Sequence, residues 1–91
     1  MPYFVYIAAN ATDDELYKGF SENPYKRIQE HNDGRSKFTS TKSGWYLVFV
    51  KSFELKTDAL IFEKKIKRLN RRSLNILINS NDNLLKEGSA G

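Results

Sequence analysis

Leu16-Tyr17-Lys18-Gly19-Phe20-Ser21-Glu22-Asn23-Pro24-Tyr25-Lys26-Arg27-Ile28-Gln29-Glu30-His31-Asn32 reads as a short strand that turns directly into a helix. Asn23 is suited to cap that helix with its side chain, and Pro24 to occupy the first helical position, where no N–H partner is needed. A residue before proline avoids the helical region, which also suits a cap. The helix is expected to end near Asp33-Gly34. Four residues separate Arg27 from His31, the chain's one histidine, so the two share a helix face, while Tyr25 and Ile28 are expected to turn towards a core. Tyr17, Arg27 and His31 are thereby able to reach one phosphate.

Upstream, Tyr3-Phe4-Val5-Tyr6-Ile7-Ala8 is short, aromatic and β-branched, which predicts a strand, and Asn10 to Asp14 supplies turn chemistry. The two strands form a hairpin. A turn centred between Ala11 and Thr12 places Tyr6 opposite Tyr17 on one face, with the two residues about 5 Å apart. Downstream, residues 34 to 44 are rich in Ser, Thr and Lys and read as a surface loop anchored by Phe38. Trp45-Tyr46-Leu47-Val48-Phe49-Val50 is apolar on both faces and is expected to be a central strand. From Asp58 to Arg71, Ala59, Phe62, Ile66 and Leu69 recur at helical spacing, leaving Glu63 on the shoulder of the apolar stripe and Lys64 and Arg68 in solvent. Leu74 to Ile78 reads as a final short helix.

The expected architecture is therefore α+β: a small, three-stranded, mainly antiparallel sheet flanked by helices, in the order β-β-α-β-α-α. Residues 1–80 form the single domain, and the Asn-, Ser- and Gly-containing stretch 81–91 is expected to be a flexible tail. Ninety-one residues leave no room for a second core. There is no cysteine, which excludes disulfide staples and thiolate metal sites and makes a reducing cytoplasm the simplest setting. No signal peptide or membrane span is visible.

Fifteen Lys and Arg against eleven Asp and Glu give a net charge of +4. Lys64, Lys65, Lys67, Arg68, Arg71 and Arg72 fall within nine residues containing no acid, a pattern that suits either a phosphate backbone or an ordinary solvated helix face. No nucleophile elbow, Gly-rich phosphate loop or histidine pair at metal spacing is present. A metal, if used, must be a hard cation held by carboxylate, such as magnesium or manganese. Glu63 is the best candidate for a single ligand, and an i,i+4 pair with Lys67 is the ordinary explanation of its position. Arg27 offers a planar fork of donors to a phosphate, and His31 a donor or acceptor one turn away.

These residues, in this order, resemble the GIY-YIG nuclease superfamily. The chain is similar to its short single-domain bacterial members and to the nuclease domain at the start of the excision-repair endonuclease subunit. Phe4-Val5-Tyr6 and Tyr17-Lys18-Gly19 correspond to the two name-giving motifs, Arg27 and His31 to the helical arginine and histidine, and Glu63 to the metal-binding glutamate. Ser36-Lys37-Phe38-Thr39 looks like the loop before the third strand. Phe4 replaces the first motif's glycine, and Lys18 the second motif's isoleucine; both tyrosines remain. The resemblance implies a metal-dependent endonuclease hydrolysing DNA phosphodiesters with one Mg2+ or Mn2+ ion, in repair or recombination. Tyr6, Tyr17, Arg27, His31 and Glu63 would form the catalytic site, with Glu63 on the metal. Lys37, Lys42, Lys64, Arg68, Arg71 and Arg72 would contact the nucleic-acid backbone. The altered motif positions leave a second possibility open, a nucleic-acid-binding domain of this fold with little or no catalytic activity.

Overall fold

Alternation along one strand sets the architecture. In Tyr3–Asn10 (β1), Val5 and Ile7 point to one face and Tyr6 and Ala8 to the other, and all four are buried. A strand buried on both faces needs a neighbour on each edge and cover on each side. The computed structural model describes residues 2–12, 14–34 and 44–86, and in it β1 is the middle strand of a three-stranded antiparallel sheet ordered β2-β1-β3. The other elements are Leu16–Ser21 (β2), Pro24–Asn32 (α1), Trp45–Phe53 (β3), Lys56–Ile66 (α2) and Arg71–Ile78 (α3). This is the α+β order expected from the sequence.

Two apolar layers sandwich the sheet. On one side Val5, Ile7 and Phe49 meet Ala59 and Ile66 of α2 and Leu74 of α3. On the other, Tyr6, Ala8, Val50 and Trp45 pack with Ile28 of α1, Leu47, Phe4, Tyr17 and Leu85. Asn23 caps α1, its Oδ1 accepting from Lys26 N–H at 3.1 Å, and Asn70 caps α3 by accepting from Ser73 N–H at 2.9 Å. Such caps contribute about 1 kcal/mol each. Tyr25 lies outside the inward arc of α1: Pro24 and His31 are buried and Ile28 is half-buried, while Tyr25, about 100° round the helix from Pro24, is 61% exposed. The expectation that Tyr25 would reach the core is corrected. No helix among the described residues is long and apolar enough to cross a membrane.

β3, expected to be central, is an edge strand. Its apolar residues fall on both faces because the pairing with β1 slips: Ile7 lies opposite Phe49, but Ala8 lies opposite Leu47. Val48 is the extra residue of a bulge, and it reverses the alternation. Phe49 and Val48 consequently pack on the α2 side, while Trp45 and Leu47 turn to the α1 side.

Two asparagines occupy polar groups of β3 that β1 leaves unpaired. At the strand's start, Trp45 N–H donates to Asn32 Oδ1 at 2.7 Å and Asn32 Nδ2 donates to the Trp45 carbonyl at 3.0 Å. Across the bulge, Val50 N–H donates to Asn83 Oδ1 at 3.2 Å, and Asn83 Nδ2 donates to the carbonyls of Val48 and Ile78 at 2.7 and 2.8 Å. Asn83 is 2% exposed, and Leu85 packs against the Tyr6 layer. The segment 81–86, expected to belong to a loose tail, thus returns to the sheet; residues 87–91 lie outside the described residues.

Asn83→Ala leaves one buried N–H and two carbonyls without these partners, and a loss of about 2–4 kcal/mol in unfolding free energy is expected. Urea denaturation measures it, and a change below about 0.5 kcal/mol, the level of an inert surface substitution, would show that Asn83 does not hold the edge.

Candidate active site

The site begins with a close approach between β1 and β2. Tyr6 lies opposite Gly19, and its ring lies across that glycine: a Cβ built there would sit 2.5 Å from Tyr6 Oη and 2.6 Å from Cζ. The hairpin register expected from the sequence is corrected, since Tyr17 lies opposite Ala8. The connection spans one more pair than a turn centred at Ala11-Thr12 would give, with Asn10 N–H bonding to the Glu15 carbonyl at 3.3 Å and Thr12 N–H to Asn10 Oδ1 at 2.9 Å. A shift of two residues keeps the face unchanged, so Tyr6 and Tyr17 become diagonal neighbours with ring centroids 6.2 Å apart.

α1 brings His31 to these rings. His31 is fully buried, and its Nε2 lies 2.8 Å from Tyr6 Oη in a hydrogen bond. Tyr17 meets the imidazole edge-on at 4.8 Å, and Trp45 stands 6.4 Å from both His31 and Tyr17. Edge-on contacts of aromatic rings contribute about 0.5–1.5 kcal/mol beyond their burial. The aromatic nest therefore combines β1, β2, α1 and the reversed end of β3.

Burial pushes the Tyr6 phenol well above the usual tyrosine range, with neighbouring Tyr17 adding to the rise; the Arg27 guanidinium, by charge and hydrogen bonding, pulls it back, and Glu63 raises it again. Burial also holds His31 below its ordinary value, Arg27 adding to the drop and Glu30 opposing it. His31 is thus neutral at pH 7. In its Nδ1–H tautomer the neutral imidazole accepts the phenol proton at Nε2, 2.8 Å from Tyr6 Oη. Arg27 is itself held by Glu30, its Nη1 donating to Oε1 at 2.8 Å, and that bond leads the effects that keep the guanidinium firmly charged.

Glu63 comes from α2, on the other side of the sheet. Its side chain is only 17% exposed, and its carboxylate acts electrostatically on Tyr6. Lys67 Nζ lies 3.3 Å from its Oε2, the i,i+4 pair anticipated from the sequence. Among the described residues no three His, Asp, Glu or Cys side chains converge as a metal cage. A lone carboxylate still fits a magnesium-type ion, which retains water and takes substrate oxygens for its other positions.

Tyr6, Tyr17, Arg27 and His31 are gathered, with Glu63 in electrostatic reach. Basic residues at the end of α2 and in α3 line two hollows. Lys64 and Arg68 line a shallow hollow with Ile61, Lys65 and Leu69. Arg71 and Arg72 border another with Ile76, and Arg71 Nη1 also donates to the Asp14 carbonyl. Lys37 and Lys42, with Phe38, lie outside the described residues. Sequence reasoning passed over four contributors: Gly19 as the seat of the Tyr6 ring, Trp45 as a wall of the nest, Glu30 as the partner of Arg27, and Asn32 as the anchor of β3. A glycine within a strand was the one available signal, since it marks close backbone approach.

The family model described as GIY-YIG catalytic domain matches residues 2–75. The UPF0213 protein YazA of Bacillus subtilis is 30% identical over 82 residues, spanning 89% of this chain and 82% of that protein. A UPF0213 protein of Staphylococcus aureus is 34% identical over 71 residues, 77% of this chain and 85% of its own. The solution NMR structure of a UPF0213 protein of Bacillus halodurans superimposes with a TM-score of 0.58 at 28% identity, covering 90% of this chain and 87% of that one.

Gly19→Ala forces a Cβ into a ring that is buried and cannot swing aside; a loss of about 1–3 kcal/mol is expected, with the Tyr6–His31 bond broken. A variant of unchanged stability whose Tyr6 resonance is unmoved would contradict this. His31 supplies a pH signature. Its folded-state value lies below the unfolded one of about 6.5, so the unfolded chain binds more protons in that window. The stability contribution is complete above about pH 6.5 and declines as the pH falls below it. Urea unfolding at pH 7 and pH 5 should show a smaller difference in His31→Gln than in the parent; equal differences would refute it.

Proposed function

The chain belongs to the GIY-YIG catalytic domain family, and from that premise we propose that it is a divalent-metal-dependent endonuclease hydrolysing DNA phosphodiester bonds. The observation that carries the reading is the buried Tyr6 hydroxyl bonded to a neutral His31 beside Arg27. An isolated phenol is a poor base at neutral pH, since its unperturbed value is near 10, and burial makes ionisation harder still. The neighbouring imidazole removes the need for a free phenolate. Tyr6 Oη accepts a proton from the attacking water as its own proton passes to His31 Nε2. The water oxygen forms the new bond to phosphorus, and the opposite P–O bond breaks. Tyr17 walls the nest and shields the transfer from bulk water. Arg27 directs its donors at the charge that builds on the phosphoryl oxygens.

Glu63 is the residue that would hold Mg2+ or Mn2+, and the ion supplies polarisation of a phosphate oxygen and stabilisation of the leaving group. Lys64, Arg68, Arg71 and Arg72 are contacts for flanking backbone phosphates, with Lys37 and Lys42 assigned the same role from the sequence. Repair or recombination is the setting this activity suits. Phe4 favours a second reading, a nucleic-acid-binding domain with little activity, because it departs from the first motif; it packs in the Tyr6 layer alongside Leu85.

Nicking of supercoiled plasmid by the purified protein is expected with Mg2+ or Mn2+ and not with EDTA. Glu63→Ala and Arg27→Ala should each reduce it by about 100-fold or more. Full cleavage by both variants would sink the nuclease reading, whereas salt-sensitive DNA binding without cleavage in either metal would favour the second.

A further inference from the structure

We propose that Lys18 and Lys67 form a second phosphate-binding subsite beside Tyr17, which holds a backbone phosphate next to the one cleaved. The inference rests on the nuclease reading and assigns to its substrate a contact that the catalytic residues do not make.

A cavity of about 470 Å³ opens at the β2 edge, lined by Glu15, Tyr17, Lys18 and Lys67. Liquid water occupies about 30 Å³ per molecule, so the space admits a phosphate together with its sugar. Tyr17 and Lys18 are consecutive and face opposite sides of the sheet, Tyr17 paired with Ala8 and Lys18 with Ile7. Among the described residues no strand lies beyond β2, and both side chains border the same edge cavity. Tyr17 also touches His31 and Tyr6. The cavity is therefore contiguous with the nest through one residue.

Lys18 is placed in a way that a solvated surface does not require, and Lys67, exposed, reaches the cavity from the end of α2. Lys18 occupies a half-buried strand position across from Ile7, which is fully buried, although lysine is depleted in strands. Lys67 stands one turn beyond Glu63 and pairs with it at 3.3 Å. A divalent ion held by Glu63 would compete with that pair, which would leave the Lys67 ammonium to the cavity it lines. A phosphate supplies the negative charge that Glu63 withdraws. Two ammonium groups outweigh the single carboxylate of Glu15, and the imbalance favours an anion of one charge.

Binding of a fluorescein-labelled 20-base-pair DNA duplex to the whole chain, with Ca2+ in place of Mg2+ to occupy Glu63 while suppressing cleavage, and across a range of KCl concentrations, reads the subsite. Each phosphate contact contributes about 0.9 to the slope of log affinity against log salt. Lys18→Met/Lys67→Met is expected to lower that slope by about 0.9, the share of the one phosphate held there. Lys56→Met, at the far end of α2, should leave it nearly unchanged. Glu15→Gln should tighten binding, and Lys18→Arg/Lys67→Arg, which keeps both charges, should retain the parental slope; a slope lost in the Arg pair as well would overturn the subsite. Parental affinity and slope in the Met pair, or a loss no greater than that from Lys56→Met, overturns the subsite and leaves the nuclease reading intact. Absence of DNA binding by the parent overturns both. A selective loss of slope in a protein that cleaves nothing supports the subsite while the catalytic reading fails.

Discussion

Tyr6 can reach His31 because position 19 has no side chain. The phenol crosses the neighbouring strand where any Cβ would occupy its ring, and it ends at the buried Nε2. Three elements meet in that contact: β1 supplies the tyrosine, β2 the glycine, and α1 the histidine. A buried hydroxyl and a buried imidazole are each costly alone, with about 1–3 kcal/mol lost for an unsatisfied partner. Each satisfies the other, so the bond positions α1 on the sheet as firmly as apolar packing does. The residues with the chemistry are also residues of the core.

A second constraint acts through the bulge at Val48. Without it, Trp45 would share a face with Phe49 and lie among the contacts of α2. The extra residue rotates the start of β3 onto the α1 side, where Trp45 closes the nest around Tyr17 and His31. Bulges leave backbone groups poorly paired, and here Asn83 takes up Val50 N–H and the Val48 carbonyl. Asn32 does the equivalent at Trp45. An edge strand with such groups open would be a template for another chain; two amides close it. The segment after α3 therefore shapes the wall of the site and, through Leu85, packs against its Tyr6 layer.

The sequence disclosed the element order, the cap at Asn23, the shared face of Arg27 and His31 and the shoulder position of Glu63, because each follows from local spacing. It misplaced β3 for a physical reason. A six-residue apolar run looks like a doubly buried central strand, but the same run arises when a bulge swaps faces midway. The hairpin register was read two residues short because turn composition does not state loop length, yet both tyrosines stayed on one face since the error was even. The amide bonds of Asn32 and Asn83 had no visible sign, because they join residues 13 to 35 apart in the chain, and an asparagine near a turn has a local explanation already. The charge run 64–72 is divided between the end of α2 and the start of α3, where its members line two hollows.

The resting electrostatics explain how so small a domain carries these groups. Arg27 is matched by Glu30 and Glu63 by Lys67, and Tyr6 and His31 share a proton as a neutral pair. Any of these charges left alone in a partly buried position would draw on a total stability of only about 5–15 kcal/mol. On the nuclease reading, phosphate and metal must therefore arrive as a matched set. A cation held by Glu63 would take the place of Lys67, and a phosphate would offer its charge to Arg27 and to the Lys67 ammonium. Neither arriving ion alone compensates for the pairs it disturbs. The coupling of metal to substrate then follows from the partners these side chains already hold, with no moving element required.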